Sequence, residues 1–107
     1  MKTVAVTLGG KEYSAAQLTV PEQCEVARIT PELEAAGRER DCSKAAALLT
    51  ELLKIICASI LRAGLRVTPG EANEWPIGDL LKARQTLADF IGELPTRANL
   101  DPRANLN

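Results

Sequence analysis

The side chains best suited to chemistry in this 107-residue chain are three cysteines, Cys24, Cys42 and Cys57. Their spacing is wide and contains no CxxC pair, so it does not match the closely paired thiolates of a zinc site. The sequence contains no histidine, which removes the commonest general base and metal ligand. We therefore expect no catalytic, cofactor-binding or metal site, and we predict that Cys57, inside the apolar run 55–58, is a buried small hydrophobic residue.

Other chemical motifs are missing from the sequence as well. It has no GxxxxGK(S/T) loop, no GxSxG turn and no HExxH helix. With 13 Lys+Arg against 14 Asp+Glu, the net charge of −1 gives no electrostatic reason to expect nucleic acid or an anionic membrane as partner. No stretch reaches the roughly 20 uncharged apolar residues of a membrane span. We expect a soluble, intracellular protein that is not an enzyme.

The N-terminal residues alternate in the way that a strand does. Val4, Val6 and Leu8 share one face, and the pair Gly9-Gly10 separates this run from a second β-compatible one, which is typical of a tight hairpin. A lone two-stranded hairpin is marginal in water, so its apolar face must pack on the elements that follow. We predict a β-hairpin over about residues 3–14.

The remaining chain has the pattern of about four to five helices. Their predicted ranges are about 21–29, 31–37, 44–63, 69–75 and 77–93. We expect Thr19 or Val20 to cap the first helix, Pro31 to begin the second, and Ser43 to cap the third. The predicted fold class is mainly α (α+β), a short N-terminal hairpin packed on a helical bundle, with one domain over 1–95 and a flexible tail over 96–107.

Two of these helices, 44–63 and 77–93, carry more apolar residues than one small domain needs to bury. The charged residues of 44–63 fall in one narrow stripe, and Arg84 is the one charged residue on the apolar face of 77–93. Core packing is the commoner use of such stripes, but the excess predicts a surface for a partner or for self-association. The candidate residues for that surface are Leu49, Leu53, Ile56, Ile60, Trp75, Leu80, Leu87, Phe90 and Ile91.

The N-terminal motifs follow one another in a recognisable order: an apolar strand, the run Leu8–Tyr13 (LGGKEY), and the run Gln17–Thr19 (QLT) at a helix entry. This order resembles the start of tail assembly chaperones of long-tailed bacteriophages and prophages, which open with a GGK-x-Y hairpin and a Leu-Thr helix entry. The helical layout extends the resemblance, including a Val-Thr-Pro-x-Glu turn at 67–71. The run 14–16 departs from the family pattern because it lacks an alternating apolar residue.

The resemblance implies a non-enzymatic protein of the host cytoplasm. Family members bind the tape-measure protein, keep its hydrophobic helices soluble and help to recruit tail-tube subunits, and they are absent from the mature virion. Self-association is expected, whereas nucleic acid and membrane are not expected as partners. The alternative is a structural virion protein, such as a head–tail connector or tail completion subunit. A third interpretation is a helical regulatory adaptor unrelated to phage.

Overall fold

The computed structural model describes residues 2–90. Their secondary structure, in chain order, is β1 (Thr3–Leu8), β2 (Lys11–Ala16), α1 (Val20–Arg38), α2 (Cys42–Arg62), α3 (Pro69–Asn73) and α4 (Ile77–Asp89). The predicted fold class, mainly α with a short N-terminal hairpin, is confirmed. The predicted tail over 96–107 and the candidate residue Ile91 lie outside the described residues.

Strands β1 and β2 pair antiparallel in an uninterrupted register, from Leu8 opposite Lys11 to the pair Thr3 and Ala16. Gly9 and Gly10 connect them with φ values of +62° and +81°, which glycine adopts without steric cost in a type I′ turn. The second strand continues two residues beyond the predicted end at 14. The reason is packing, because Ala15 and Ala16 are buried and α2 packs against β2.

Helix α1 is a single helix, so the predicted division into two helices at Pro31 is wrong. Thr19 caps it, and the Thr19 and Glu22 side chains form a reciprocal capping box. Pro31 removes one backbone hydrogen bond inside the helix. Ile29 before it and Ala36 after it are both buried, so tertiary packing on both sides of Pro31 keeps the helix continuous.

The ends of the two remaining long helices differ by a few residues from their predicted positions. Asp41, not Ser43, caps α2, because its Oδ1 accepts a hydrogen bond from the Lys44 amide at 3.0 Å. Helix α4 ends at Asp89 rather than near residue 93, and Phe90 has already left the helical region with ψ of 111°. Local capping and backbone geometry therefore decide these ends, and the apolar periodicity does not.

The core lies between the hairpin and the two helices that cover it. Helix α2 packs on β2, α4 packs on β1, and α2 and α4 also contact one another. Leu8, Leu52, Ile56, Ile60 and Leu87 are all at most 1% exposed at this junction. Helix α1 packs against α2 around a second, smaller cluster. The hairpin thus completes a core that the helices alone would leave open to water.

Candidate protein-interaction surface

Eight of the nine residues predicted to form a partner surface belong to the described part of the chain, and they occupy different environments. The buried members are Ile56, Ile60, Trp75, Leu80 and Leu87. The half-buried members are Leu49, Leu53 and Phe90. The structure assigns the five buried residues to the core of the single chain, which corrects their predicted place on a surface. Their helical spacing marks the side of each helix that faces the hairpin and its neighbours.

The residues of the GGK-x-Y motif hold the hairpin turn against α3 and the start of α4. The Gly9 amide donates a hydrogen bond to Asp79 Oδ2 at 2.8 Å, and the Tyr13 hydroxyl donates one to Glu71 Oε2 at 2.7 Å. The Trp75 and Tyr13 rings meet edge to face with centroids 5.4 Å apart. A Cβ at Gly9 would lie 3.1 Å from Trp75 Cδ1, so the turn needs glycine there. We call this contact the hairpin corner.

The charges of the hairpin corner compensate one another. Burial, followed by the hydrogen bond to Glu71, raises the pKa of Tyr13. That same hydrogen bond lowers the pKa of Glu71, as does Lys11, whose Nζ lies 3.7 Å from Glu71 Oε2. At neutral pH a neutral phenol therefore donates to an ionised carboxylate, which stabilises the docking of the hairpin. In residues 2–90 no group of His, Cys, Asp and Glu is arranged to hold a metal ion.

Apolar side chains are exposed at the C-terminal end of α2. Leu61 exposes 60% of its surface, and Leu65 exposes 40%. An open groove of about 380 Å³ at this end is lined by Cys57, Ala58, Leu61, Arg66 and Val67. Burial raises the pKa of the half-buried Cys57 thiol, which keeps it neutral and apolar in character. We call this the α2-end groove.

The exposed face of α2 leads into the groove. Ala47, Thr50, Lys54, Ala58 and Leu61 recur every three or four residues and therefore share one face. Glu51, four residues after Ala47 and three before Lys54, also lies on this face, so it carries two exposed charges of opposite sign. Ala58 is half-buried, whereas the other residues of the face are exposed. A partner helix along this face would therefore have to pair or desolvate both charges.

An ion pair beside the groove fixes the last turn of α2. Arg62 donates to both carboxylate oxygens of Glu22, at 2.6 and 2.9 Å, and to the carbonyl of Gln17 at 3.1 Å. Burial alone would raise the pKa of Glu22, but hydrogen bonds from Arg62 and Thr19 outweigh it and lower that pKa. Because Arg62 is held toward α1, its neighbour Leu61 points about 100° around the helix and into solvent.

The sequence pattern shows that α2 is apolar around most of its circumference, but the predicted surface residues on it lie on the side that the core covers. The selection favoured large residues such as Ile56 and Ile60, which the hairpin covers. The small residues Ala47 and Ala58 and the closing Leu61, spaced to share one side of the helix, are the signal that could have found the exposed side. A face of small residues adds little to a core, so it is the side that a helix can leave uncovered.

Within residues 2–90, no helix combines the length and the apolar character that crossing a bilayer requires. Comparisons with known protein families, with curated proteins and with solved structures found no match to this chain. The resemblance to tail assembly chaperones therefore stays a prediction from the motifs over residues 3–29.

Proposed function

We propose that the protein is a non-enzymatic tail assembly chaperone of a long-tailed phage or prophage. In this role it binds the tape-measure protein in the host cytoplasm and helps to recruit tail-tube subunits. The N-terminal motif order supports the family, and the α2-end groove is the observation that carries the binding role. An amphipathic helix recognises such a groove by laying its apolar face into it.

The size of the groove suits a weak contact that is repeated along a long partner. Full burial of one leucine side chain contributes about 1.5–3 kcal/mol, and Leu61 and Leu65 are the large apolar groups exposed at this end of α2. Ordering the partner offsets part of that gain. Several copies bound along one apolar helical protein would add their contributions and keep it soluble.

A chain of hydrogen bonds connects the hairpin corner to the α2-end groove. Tyr13 holds Glu71, the Glu71 amide donates to Thr68 Oγ1 at 3.2 Å, and Thr68 caps α3. Val67, which lines the groove, directly precedes that cap. The family-like motif at the N-terminus thus stabilises one wall of the groove through α3.

Co-expression with the tape-measure protein of the same phage or prophage tests the proposal. We expect the tape-measure protein to be soluble and to copurify with the chain. Leu61→Glu, which places a charge in the groove, should abolish copurification. Ile77→Glu is the matched control, because Ile77 is 57% exposed but does not line the groove.

Two outcomes would contradict the proposal. An insoluble tape-measure protein with no complex would remove the chaperone role, and copurification unaffected by Leu61→Glu would remove the groove as its site. Mass spectrometry of purified particles separates the chaperone from the alternative class. A chaperone should be missing from virions, whereas a connector or tail completion subunit would be present.

A further inference from the structure

The two-residue turn determines which backbone groups of the hairpin face outward. Leu8 and Lys11 close the turn, so they form a hydrogen-bonded pair. Such pairs alternate with non-hydrogen-bonded pairs along an antiparallel ladder. Thr3, Ala5 and Thr7 belong to the second kind, so their N–H and C=O groups point away from β2. We call this row of groups the β1 edge.

The outer edge of β2 is covered and charged. By the same alternation, Ala16 directs its carbonyl outward, and the Ser59 hydroxyl on α2 donates a hydrogen bond to it. Arg62 covers the next carbonyl along the chain, that of Gln17. Glu12 adds a charge near the turn. These are devices by which a native sheet prevents its edge from pairing with another strand.

The outward backbone groups of the β1 edge are not covered in the part of the chain that the structure describes. No hydrogen bond among residues 2–90 reaches the outward groups of Thr3, Ala5 or Thr7. The strand Thr3–Leu8 carries no charge, no proline and no bulge. An open groove of about 230 Å³ runs beside it, lined by Ala5, Val6, Thr7, Lys82, Ala83 and Thr86. Lys82, the one charged residue in this lining, is exposed.

We propose that the β1 edge pairs antiparallel with the β1 edge of a second copy of this chain, giving a four-stranded sheet across a two-fold axis. The register centres on Ala5, which lies opposite Ala5 of the other copy, while Thr3 lies opposite Thr7. Each outward N–H and C=O of these three residues then gains a partner.

Three features favour a second copy over an unrelated extended peptide. The strand Thr3–Leu8 carries no charge, so the paired residues place no like charges opposite one another. Thr3 and Thr7 form cross-strand threonine pairs on the outer face, a favourable combination. Val4 and Val6 meet their counterparts on the face that holds the core. A shift by one residue would place the outward groups of Thr3, Ala5 and Thr7 opposite residues whose N–H and C=O groups point to β2.

The mass of the full 107-residue chain in solution tests the pairing, which does not depend on the proposed function. Sedimentation equilibrium at concentrations up to several hundred micromolar should give twice the 11.5 kDa of a single copy. Ala5→Lys and Ala5→Glu each place like charges opposite one another, so each should weaken association at least about tenfold. An equimolar mixture of the two variants should restore the double mass, because the opposite charges then face each other.

Ser14→Lys is the matched control, because Ser14 is also exposed and is the β2 partner of Ala5 in the register. It should leave association unchanged. Ala5→Pro provides a second disruption, since it removes an outward N–H without touching the β1–β2 ladder, and circular dichroism verifies that each variant keeps its helices. A single-copy mass for the wild-type chain at all concentrations would overturn the proposal. Equal effects of Ala5→Lys and Ser14→Lys, or no restoration in the mixture, would also overturn it.

Discussion

The hairpin corner and the α2-end groove use their apolar residues in opposite ways. In the corner, Trp75 is 7% exposed and Tyr13 4%, and the polar atoms around them bind one another. At the α2-end groove, Leu61 is 60% exposed and has no apolar neighbour that covers it within residues 2–90. The corner therefore stabilises the fold, whereas the groove retains apolar surface for a partner.

Truncation should separate the two regions most clearly. Trp75→Ala removes a buried ring from the corner and should lower the free energy of unfolding by about 3–5 kcal/mol. Leu61→Ala removes an exposed side chain and should change it by less than about 0.5 kcal/mol. Urea denaturation followed by circular dichroism measures both values. Similar losses for the two variants would show that the groove is part of the core.

The ion pair beside the groove should make stability depend on acid pH. The folded-state pKa of Glu22 is lowered below its ordinary value of 4.5. The ionised Glu22 side chain therefore stabilises the fold fully above pH 4.5, and this stabilisation is lost as the pH falls through the folded-state pKa. Glu22→Gln should lower the free energy of unfolding by about 1–2 kcal/mol at pH 7. It should also make that free energy fall less steeply as the pH decreases through this range. The control is Glu25→Gln, because Glu25 also pairs with an arginine, Arg28, but its side chain is 52% exposed. This variant should lower the free energy of unfolding by less than about 0.5 kcal/mol. Urea titrations from pH 7 to pH 3 measure these differences, and parallel curves for wild type and Glu22→Gln would contradict them.

Substitution by alanine should destabilise the protein more at Gly9 than at Gly10, because only Gly9 contacts the hairpin corner. Both have positive φ, so an alanine at either is strained. Only at Gly9 would the new Cβ also meet Trp75, at 3.1 Å, whereas nothing lies within 4 Å at Gly10. Gly9→Ala should therefore cost about 1 kcal/mol more than Gly10→Ala in thermal or urea unfolding. Equal losses in the free energy of unfolding for the two variants would mean that backbone strain in the turn is the whole reason for glycine at both positions.

Local signals in the sequence were sufficient for the hairpin corner's elements. Gly9-Gly10 predicts the turn because positive φ is a property of the residues themselves. Thr19 and Thr68 cap helices for an equally local reason, since each hydroxyl oxygen accepts a hydrogen bond from the backbone amide of the residue three positions later. The contact between Tyr13 and Trp75 was not predictable, because it joins residues that only the tertiary fold brings together.

The α2-end groove could not be located for a similar reason. Periodicity gives the spacing of apolar residues on α2 but does not say which side the hairpin covers. Ile56 and Leu61 are therefore equivalent in a sequence pattern, although one is 0% and the other 60% exposed. Pro31 shows the same limitation, because burial of Ile29 keeps α1 continuous where the local signal predicts a break.

Thiol labelling of the chain, free and bound to the tape-measure protein, tests the central claim most directly. Cys57 lines the α2-end groove, whereas Cys24 and Cys42 are exposed elsewhere and serve as internal controls. A partner helix in the groove should slow maleimide labelling of Cys57 at least about tenfold and leave the other two thiols unchanged. The same rate for Cys57 in the free and bound chain would contradict binding at the groove.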